Sequence, residues 1–332
     1  MSNQVSTYGD LGETIGIYAS AQFLKTVEPQ LCLEKFAKAE MLPKNAGDQI
    51  RWRRIRPFPV STTALTEGVT PAANNIEWDT VTADIYQYGA VSRYTDKAAD
   101  LLDIKGWLQP VIEEHAKQNA TVREQLLWNT ITAGNTVVRS NGAARADINT
   151  PVDLDMVRSM ARTLDRNHAT KPAKMIKAGP NFSTEPIKPG YVIFGHTDMR
   201  RDFEESDNFV SVVNYAGYQP VSPYEIGSID GHRVILTNHF SKLTSAGSST
   251  TNGMENTNSV VDVYPFVMIA EDAFCSIAVK GDNSGRPYAE APKPRYGDEL
   301  GQRGFISWKY YFGSKILNEN WLVRGECAVT AL

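Results

Sequence analysis

The order of elements along this sequence predicts an α+β fold with antiparallel or mixed sheets. Helical and β-leaning segments are intermixed without the regular βαβ alternation of a doubly wound sheet. Two long β runs, Phe305 to Phe312 and Trp321 to Val329, close the chain. Between Gly47 and Gly89, two further β-leaning runs flank a Pro/Thr/Ala-rich tip; they form a hairpin too lightly apolar to be stable alone in water.

Composition bounds the possibilities. At 332 residues the chain has room for one large or two ordinary domains, and its 42% hydrophobic share is that of a folded globular protein. No run approaches the ~20 apolar residues of a membrane helix. The polar opening Met1-Ser2-Asn3-Gln4 lacks the basic and apolar regions of a signal peptide, so a cytoplasm-like compartment is expected. Cys32, Cys275 and Cys327 are odd in number and far apart, which argues against a disulfide framework or a zinc site and for buried small hydrophobes. The net charge of -4 gives no bulk attraction to nucleic acid, so DNA near this protein is expected to be enclosed rather than read.

Taken in order, the chain opens polar and then shows near-helical spacing from Gln22 to Ala39, broken at Pro29. The hairpin follows. Its outgoing run carries Arg51, Trp52, Arg53, Arg54 and Arg56; its return carries Glu77, Trp78, Asp79 and Asp84, so opposite charges can pair across strands or onto a neighbouring chain. The return is read as one run through Tyr86-Gln87-Tyr88-Gly89. Thr95 is a candidate N-cap for a short helix over Lys97 to Leu102. From Trp107 to Ala133 an apolar stripe at helical spacing, with Pro110 in the first turn and Gly134 as the stop, predicts a helix about 40 Å long.

Asp153 caps a second amphipathic helix, Leu154 to Asn167. Residues 179–190 read as loop, Tyr191 to Phe194 as a buried strand, and Met199 to Glu205 as a polar helix. Asp230-Gly231 between two β runs is a strong hairpin signal. Ser241 to Ser259 is Ser/Thr/Gly/Asn-rich and is expected to be an exposed, mobile loop. Val260 to Ala270 and Phe274 to Lys280 are expected to form a hairpin around Glu271-Asp272, with irregular chain over residues 281–298.

Catalytic patterns are missing from the sequence. There is no phosphate-binding loop, and Gly227-Ser228-Ile229-Asp230-Gly231 places Ile229 where a nucleophile elbow needs serine. His115, His168, His196, His232 and His239 include no metal-binding pair and are expected at the surface or in hairpins. Glu113-Glu114 and Glu204-Glu205 read as solvated helix faces, Glu271-Asp272 as turn chemistry and Asp153-Leu154-Asp155 as a helix start. No catalytic, cofactor or metal site is expected. The Arg51 to Arg56 cluster could be a nucleic-acid patch, but strand alternation sends its arginines to both faces, which favours pairing between subunits.

The chain resembles the major capsid proteins of tailed phages with the Hong-Kong-ninety-seven-like coat fold, and more narrowly the N-four-type coat family. Three stretches carry the likeness: Leu65-Thr66-Glu67-Gly68-Val69-Thr70-Pro71 at the hairpin tip, Gln87-Tyr88-Gly89 with Thr95-Asp96 at its base, and Gln302-Arg303-Gly304-Phe305-Ile306-Ser307-Trp308-Lys309 near the end. The resemblance implies an N-terminal arm (1–46), an E-loop (47–90), a P-domain with its spine helix (91–149), an A-domain (150–300) with a mobile loop (241–259), and closing P-domain strands (301–332).

It also implies a non-enzymatic coat protein. Copies of the chain would form pentamers and hexamers of an icosahedral shell around double-stranded DNA, with intersubunit contacts through Arg51, Trp52, Arg53, Arg54, Arg56, Glu67, Glu77, Trp78 and Asp79 of the E-loop. The sequence begins directly with this arm, without a long helical N-terminal extension, which leads to the expectation of a separate scaffolding protein, with a portal and decoration proteins as further partners. The implied location is the virion capsid, assembled in the host cytoplasm and without membrane or cofactor. Two other readings stand beside it: an encapsulin-type compartment shell of the same fold, and an α+β enzyme of another family.

Overall fold

The computed structural model describes residues 32–97, 108–172, 190–215, 220–250, 253–281, 287–294 and 296–331, apart from residues 63, 65, 66, 69 and 72. The helical spacing over residues 22–31, most of the short helix after Thr95 and the passage at 179–189 lie outside the described residues.

Helix α1 (Leu108–Thr132) is the long helix that the apolar spacing predicts. Ala116, Ala120, Glu124, Leu127 and Ile131 recur three or four residues apart and are all buried, with Trp128 beside them, so one face of the helix enters the core. The helix ends where expected, with the Gly134 N–H donating to the Ile131 carbonyl.

Its buried face packs on a five-stranded sheet. Strand β1 (Lys38–Leu42) comes first, followed by β2 (Gln49–Ile55), β3 (Trp78–Asp84) and β4 (Tyr86–Thr95). Residues Leu33–Phe36 form one 3-10 turn, and the helix expected to run through Ala39 is replaced by β1, which pairs in parallel with a later strand. That non-local pairing overrides a local spacing already weakened at Pro29. β2 and β3 pair with each other as a separate two-stranded sheet, while β4 leaves it. The returning run of the hairpin is therefore two strands, divided at the buried Ile85.

The chain then builds a seven-stranded mixed sheet. Its strands are β5 (Val137–Arg139), β6 (Val192–Gly195), β7 (Phe209–Ser211), β8 (Glu225–Ile229) and β9 (His232–Leu236), with two more from the C-terminal part of the chain. Asp230 and Gly231, at φ 48° and 85°, make the two-residue turn between β8 and β9 that requires positive φ at both positions. Helix α2 (Leu154–Arg166) covers one face; the Asp153 carboxylate caps it by accepting the Met156 N–H at 2.8 Å. The short helix α3 (Arg200–Glu204) follows β6 as expected, its surface secured by the i,i+4 pairs Arg200–Glu204 and Arg201–Glu205.

Strands β10 (Asn256–Thr257) and β11 (Val260–Val261) form a small ribbon, followed by β12 (Tyr264–Ile269), β13 (Phe274–Val279), β14 (Pro287–Glu290), β15 (Arg303–Ile316) and β16 (Leu322–Cys327). β12 and β13 are not a hairpin. β12 lies between β16 and β6 in the seven-stranded sheet, whereas β13 lies between β1 and β15 in the other. Both strands are apolar and largely buried, so each has a partner on both edges, and the turn at Glu271-Asp272 is a corner between sheets. β15 holds the five-stranded sheet together, pairing with β4 from Arg303↔Thr95 to Phe312↔Tyr86 and with β13 and β14 on its other side.

The described residues of 241–259 are fastened to the body, in place of the exposed, mobile loop expected there. Leu243 bridges to Val263 and Met254 to Thr330, and Leu243, Ala246 and Met254 pack on Ile148, Val261, Val263 and Ala328. The three cysteines are buried and free, as composition predicts. His115 is buried rather than at the surface, its Nε2 2.9 Å from the Ser92 Oγ across the α1–β4 contact, and His232 lies in its predicted hairpin.

Candidate assembly interface

The β2–β3 arm gathers the residues that the sequence singles out. Antiparallel register places Arg54 opposite Asp79, Arg53 opposite Thr80, Arg51 opposite Thr82 and Ile55 opposite Trp78. Because side chains alternate, the arm has two chemically different faces.

One face is closed on itself and on the body. Ile50 and Trp52 are half-buried against Leu42, Ala83, Ile85, Cys275 and Ile277, which seats the arm's root. Further out, Arg56 donates from Nε to Asp79 Oδ1 at 2.8 Å and from Nη1 to Glu77 Oε2 at 2.6 Å, and Arg54 Nε lies 3.4 Å from Asp79 Oδ2. The hydrogen bond from Arg56 holds the Asp79 carboxyl below its usual range, and the same bond raises the Arg56 guanidinium. These pairs are exposed and stiffen the ribbon more than they stabilise it.

The other face is open. Arg51 and Arg53 have no carboxylate partner among the described residues, and beyond them Ile55 and Trp78 stand 48% and 57% exposed. Glu67 is exposed in the turn at the tip. Leu65, Thr66 and Val69, from the tip motif, lie outside the described residues. Of the nine predicted contact residues, the structure thus joins Arg54, Arg56, Glu77 and Asp79 to each other, turns Trp52 toward the body, aligns Arg51 and Arg53 with Trp78, and leaves Glu67 at the far end.

Among the described residues no group of three or more His, Cys, Asp or Glu side chains could hold a metal ion, and no helix is long and apolar enough to cross a membrane. Several buried carboxylates escaped sequence reasoning, Glu124 and Glu326 among them. Glu124 on α1 accepts the Leu33 N–H at 3.0 Å and the Cys32 N–H at 3.4 Å, anchoring the 3-10 turn, while Arg123 beside it pairs with Glu34. Its signal was present: Glu124 stands four residues after Ala120 and three before Leu127, on the buried stripe. Glu326, gripped by arginines from distant segments, carried no local signal.

No family model matches the chain. The curated major capsid protein of Pseudomonas phage KPP21 is 26% identical over 255 residues, which cover 71% of this chain and 64% of that protein. The match therefore spans less than two thirds of the relative's length. Among solved structures, the capsid of Ralstonia phage GP4 superposes with a TM-score of 0.60 at 10% identity, covering 89% of this chain and 88% of that one. The head of Helicobacter pylori bacteriophage KHP40 gives 0.57 at 11% identity over 88% and 87%. The mature capsid of bacteriophage PhiM1 gives 0.57 at 11% identity over 88% and 86%. By this likeness the chain has the Hong-Kong-ninety-seven-like coat fold of phage capsid proteins.

Proposed function

We propose that the chain is the major capsid protein of a tailed phage, building an icosahedral shell around double-stranded DNA from copies of itself. One observation carries the reading beyond the fold. The β2–β3 arm is a sheet of its own, and its open face presents Arg51 and Arg53, with no carboxylate partner among the described residues, beside the exposed Ile55 and Trp78. A two-stranded ribbon is marginal alone. A neighbouring subunit that covers this face supplies what is missing, and a ring of such head-to-tail contacts closes through symmetry.

On this reading residues 47–90 are the E-loop, with the arm before them; 91–149 and 301–332 form the P-domain; and 150–300 form the A-domain. Pentamers and hexamers are the units of the shell. A scaffolding protein, a portal and decoration proteins are its further partners, and the protein is a structural component of the virion, assembled in the host cytoplasm. The net charge of -4 suits a wall that encloses DNA without sequence-specific adhesion.

Electron microscopy of the expressed chain, alone and with the phage's other head proteins, tests the proposal. Closed shells or rings are expected, with DNA inside particles from infected cells. Stable monomers under all conditions would overturn it, and particles filled with enzyme in place of DNA would assign the chain to the compartment shells instead.

A further inference from the structure

Three arginines converge on one carboxylate at the end of the seven-stranded sheet. Glu326 in β16 is fully buried. Arg145 grips it through two nitrogens, with Nε 3.2 Å from Oε2 and Nη2 on Oε1. Parallel pairing sets Arg139 of β5 directly opposite Glu326, its Nε 3.4 Å from Oε2. Arg324, two residues earlier on the same side of β16, brings its Nε to 3.3 Å from Oε1.

Among the described residues, the other contacts of this cluster are neutral. Arg139 Nη1 donates to the Ala143 carbonyl and Arg324 Nη1 to the Thr132 carbonyl. Asp147, the acid nearest Arg145 in sequence, uses its Oδ2 on the N–H groups of Ala143 and Ala144. Three guanidiniums facing one carboxylate leave two positive charges uncompensated, and arginine cannot relieve the excess by losing a proton. Burial, with Arg145 and Arg139 close by, pulls the Arg324 pKa down against the pull of Glu326. Because β5 is the terminal strand of its sheet, the crowded cations reach solvent: the Arg139 and Arg145 side chains are 28% and 39% exposed.

We propose that Arg139, Arg145 and Arg324 form a binding site for a divalent oxyanion of the phosphate or sulfate class. Guanidinium forks match the edges of a tetrahedral oxyanion, and charge-assisted hydrogen bonds of this kind are the stronger ones. A dianion cancels both surplus charges, whereas chloride or one phosphodiester of DNA cancels only one. The site goes beyond the shell-building role, and a chain that never assembled would still have it.

Isothermal titration calorimetry of the unassembled full-length chain with sodium sulfate, against sodium chloride at equal ionic strength, reads the site directly. Saturable binding of one sulfate per chain is expected, with affinity lowered by about tenfold or more in Arg139→Gln, the loss of one charged hydrogen-bonding partner. Circular dichroism establishes that the variant folds. Should it not fold, phosphate titrations of the wild type at pH 6 and pH 8 decide: affinity rises with the dianion fraction while sulfate affinity stays level. Sulfate heats indistinguishable from chloride overturn the site, as does a folded Arg139→Gln that binds sulfate as tightly as the wild type. So does phosphate binding that is level between the two pH values.

Discussion

Lys242 Nζ stands 3.0 Å from Asp262 Oδ2 and 2.8 Å from Glu255 Oε1, so an ammonium from residues 241–259 is locked between a carboxylate of its own segment and one beyond it. The Asp262 side chain is 1% exposed and also accepts the Ser245 N–H and the Thr257 hydroxyl. Asp262→Asn keeps the shape but leaves Lys242 with Glu255 as its one carboxylate, and is expected to cost about 2 kcal/mol, less than breaking a fully buried pair because Lys242 keeps that partner and some solvent. Burial pushes the carboxyls of Asp262 and Glu255 up, but the hydrogen bonds and the ammonium outweigh it and hold both below their usual range. A lowered carboxylate pKa stabilises the fold above the ordinary carboxylate range, and that stability is lost as pH falls through the lowered values. The hydrogen-exchange protection factors of residues 243–263 should therefore fall in acid in the wild type and already be low at neutral pH in Asp262→Asn.

Glu124 has the opposite sign. Burial pushes its carboxyl from 4.5 up to about 7, against the opposing N–H groups of Leu33 and Cys32. With a folded-state value raised above the unfolded one, its contribution is fully present below 4.5 and is lost as pH rises through about 7, on the order of 3 kcal/mol in all. Glu124→Gln retains an acceptor for the Leu33 N–H and removes the titration. Unfolding midpoints in denaturant at pH 5 and pH 8 should differ less for Glu124→Gln than for the wild type, with the variant the more stable at pH 8. Parallel pH profiles for the two proteins would exclude this role for Glu124.

What the sequence made legible was what neighbouring residues decide. The stripe of α1, the Asp153 cap and the Asp230-Gly231 turn each depend on contacts within a few residues, and each is where the pattern places it. The choice of sheet was not legible. Nothing near Glu271-Asp272 separates a hairpin from a corner, because both flanking runs are apolar and their partners lie at β16 and β15. The division at Ile85 was hidden likewise, since β3 and β4 both alternate and only pairing with β2 or β15 separates them. In the arm, alternation foretold two faces, and Arg54 and Arg56 do pair with acids of the return strand. The Arg139, Arg145, Arg324 and Glu326 cluster is assembled from segments about half the chain apart and leaves no spacing to read.

The junction between arm and body predicts a sensitive glycine. A Cβ built on Gly313 of β15 would sit 2.6 Å from the Asp84 carbonyl oxygen and 3.4 Å from Ile85, where the chain passes from β3 to β4. The nearest of these atoms is backbone, which cannot swing aside as the end of a flexible side chain would. Gly313→Ala is expected to cost about 1–3 kcal/mol and to shift the arm's root. Denaturant unfolding and a faster proteolytic cut near Ile85 would show it; wild-type stability with an unchanged digestion pattern would refute it.

Arg53 and Arg54 are adjacent in sequence and opposite in consequence. Arg54 faces Asp79 within the arm, whereas Arg53 projects from the open face beside Ile55 and Trp78. Arg54→Glu brings like charges together across the ribbon and should loosen the arm itself, lowering arm order in the unassembled chain. Arg53→Glu faces only Thr80 within its own chain, so the monomer should keep its stability within about 0.5 kcal/mol, as is usual for exposed positions. If the open face meets a neighbour, Arg53→Glu should cut particle yield in electron micrographs and sedimentation while leaving monomer unfolding unchanged. Arg51→Glu, on the same face, should behave like Arg53→Glu and unlike Arg54→Glu. Normal particle yield from the Arg51→Glu, Arg53→Glu double variant would show that the open face of the arm is not the one that meets the neighbouring subunit.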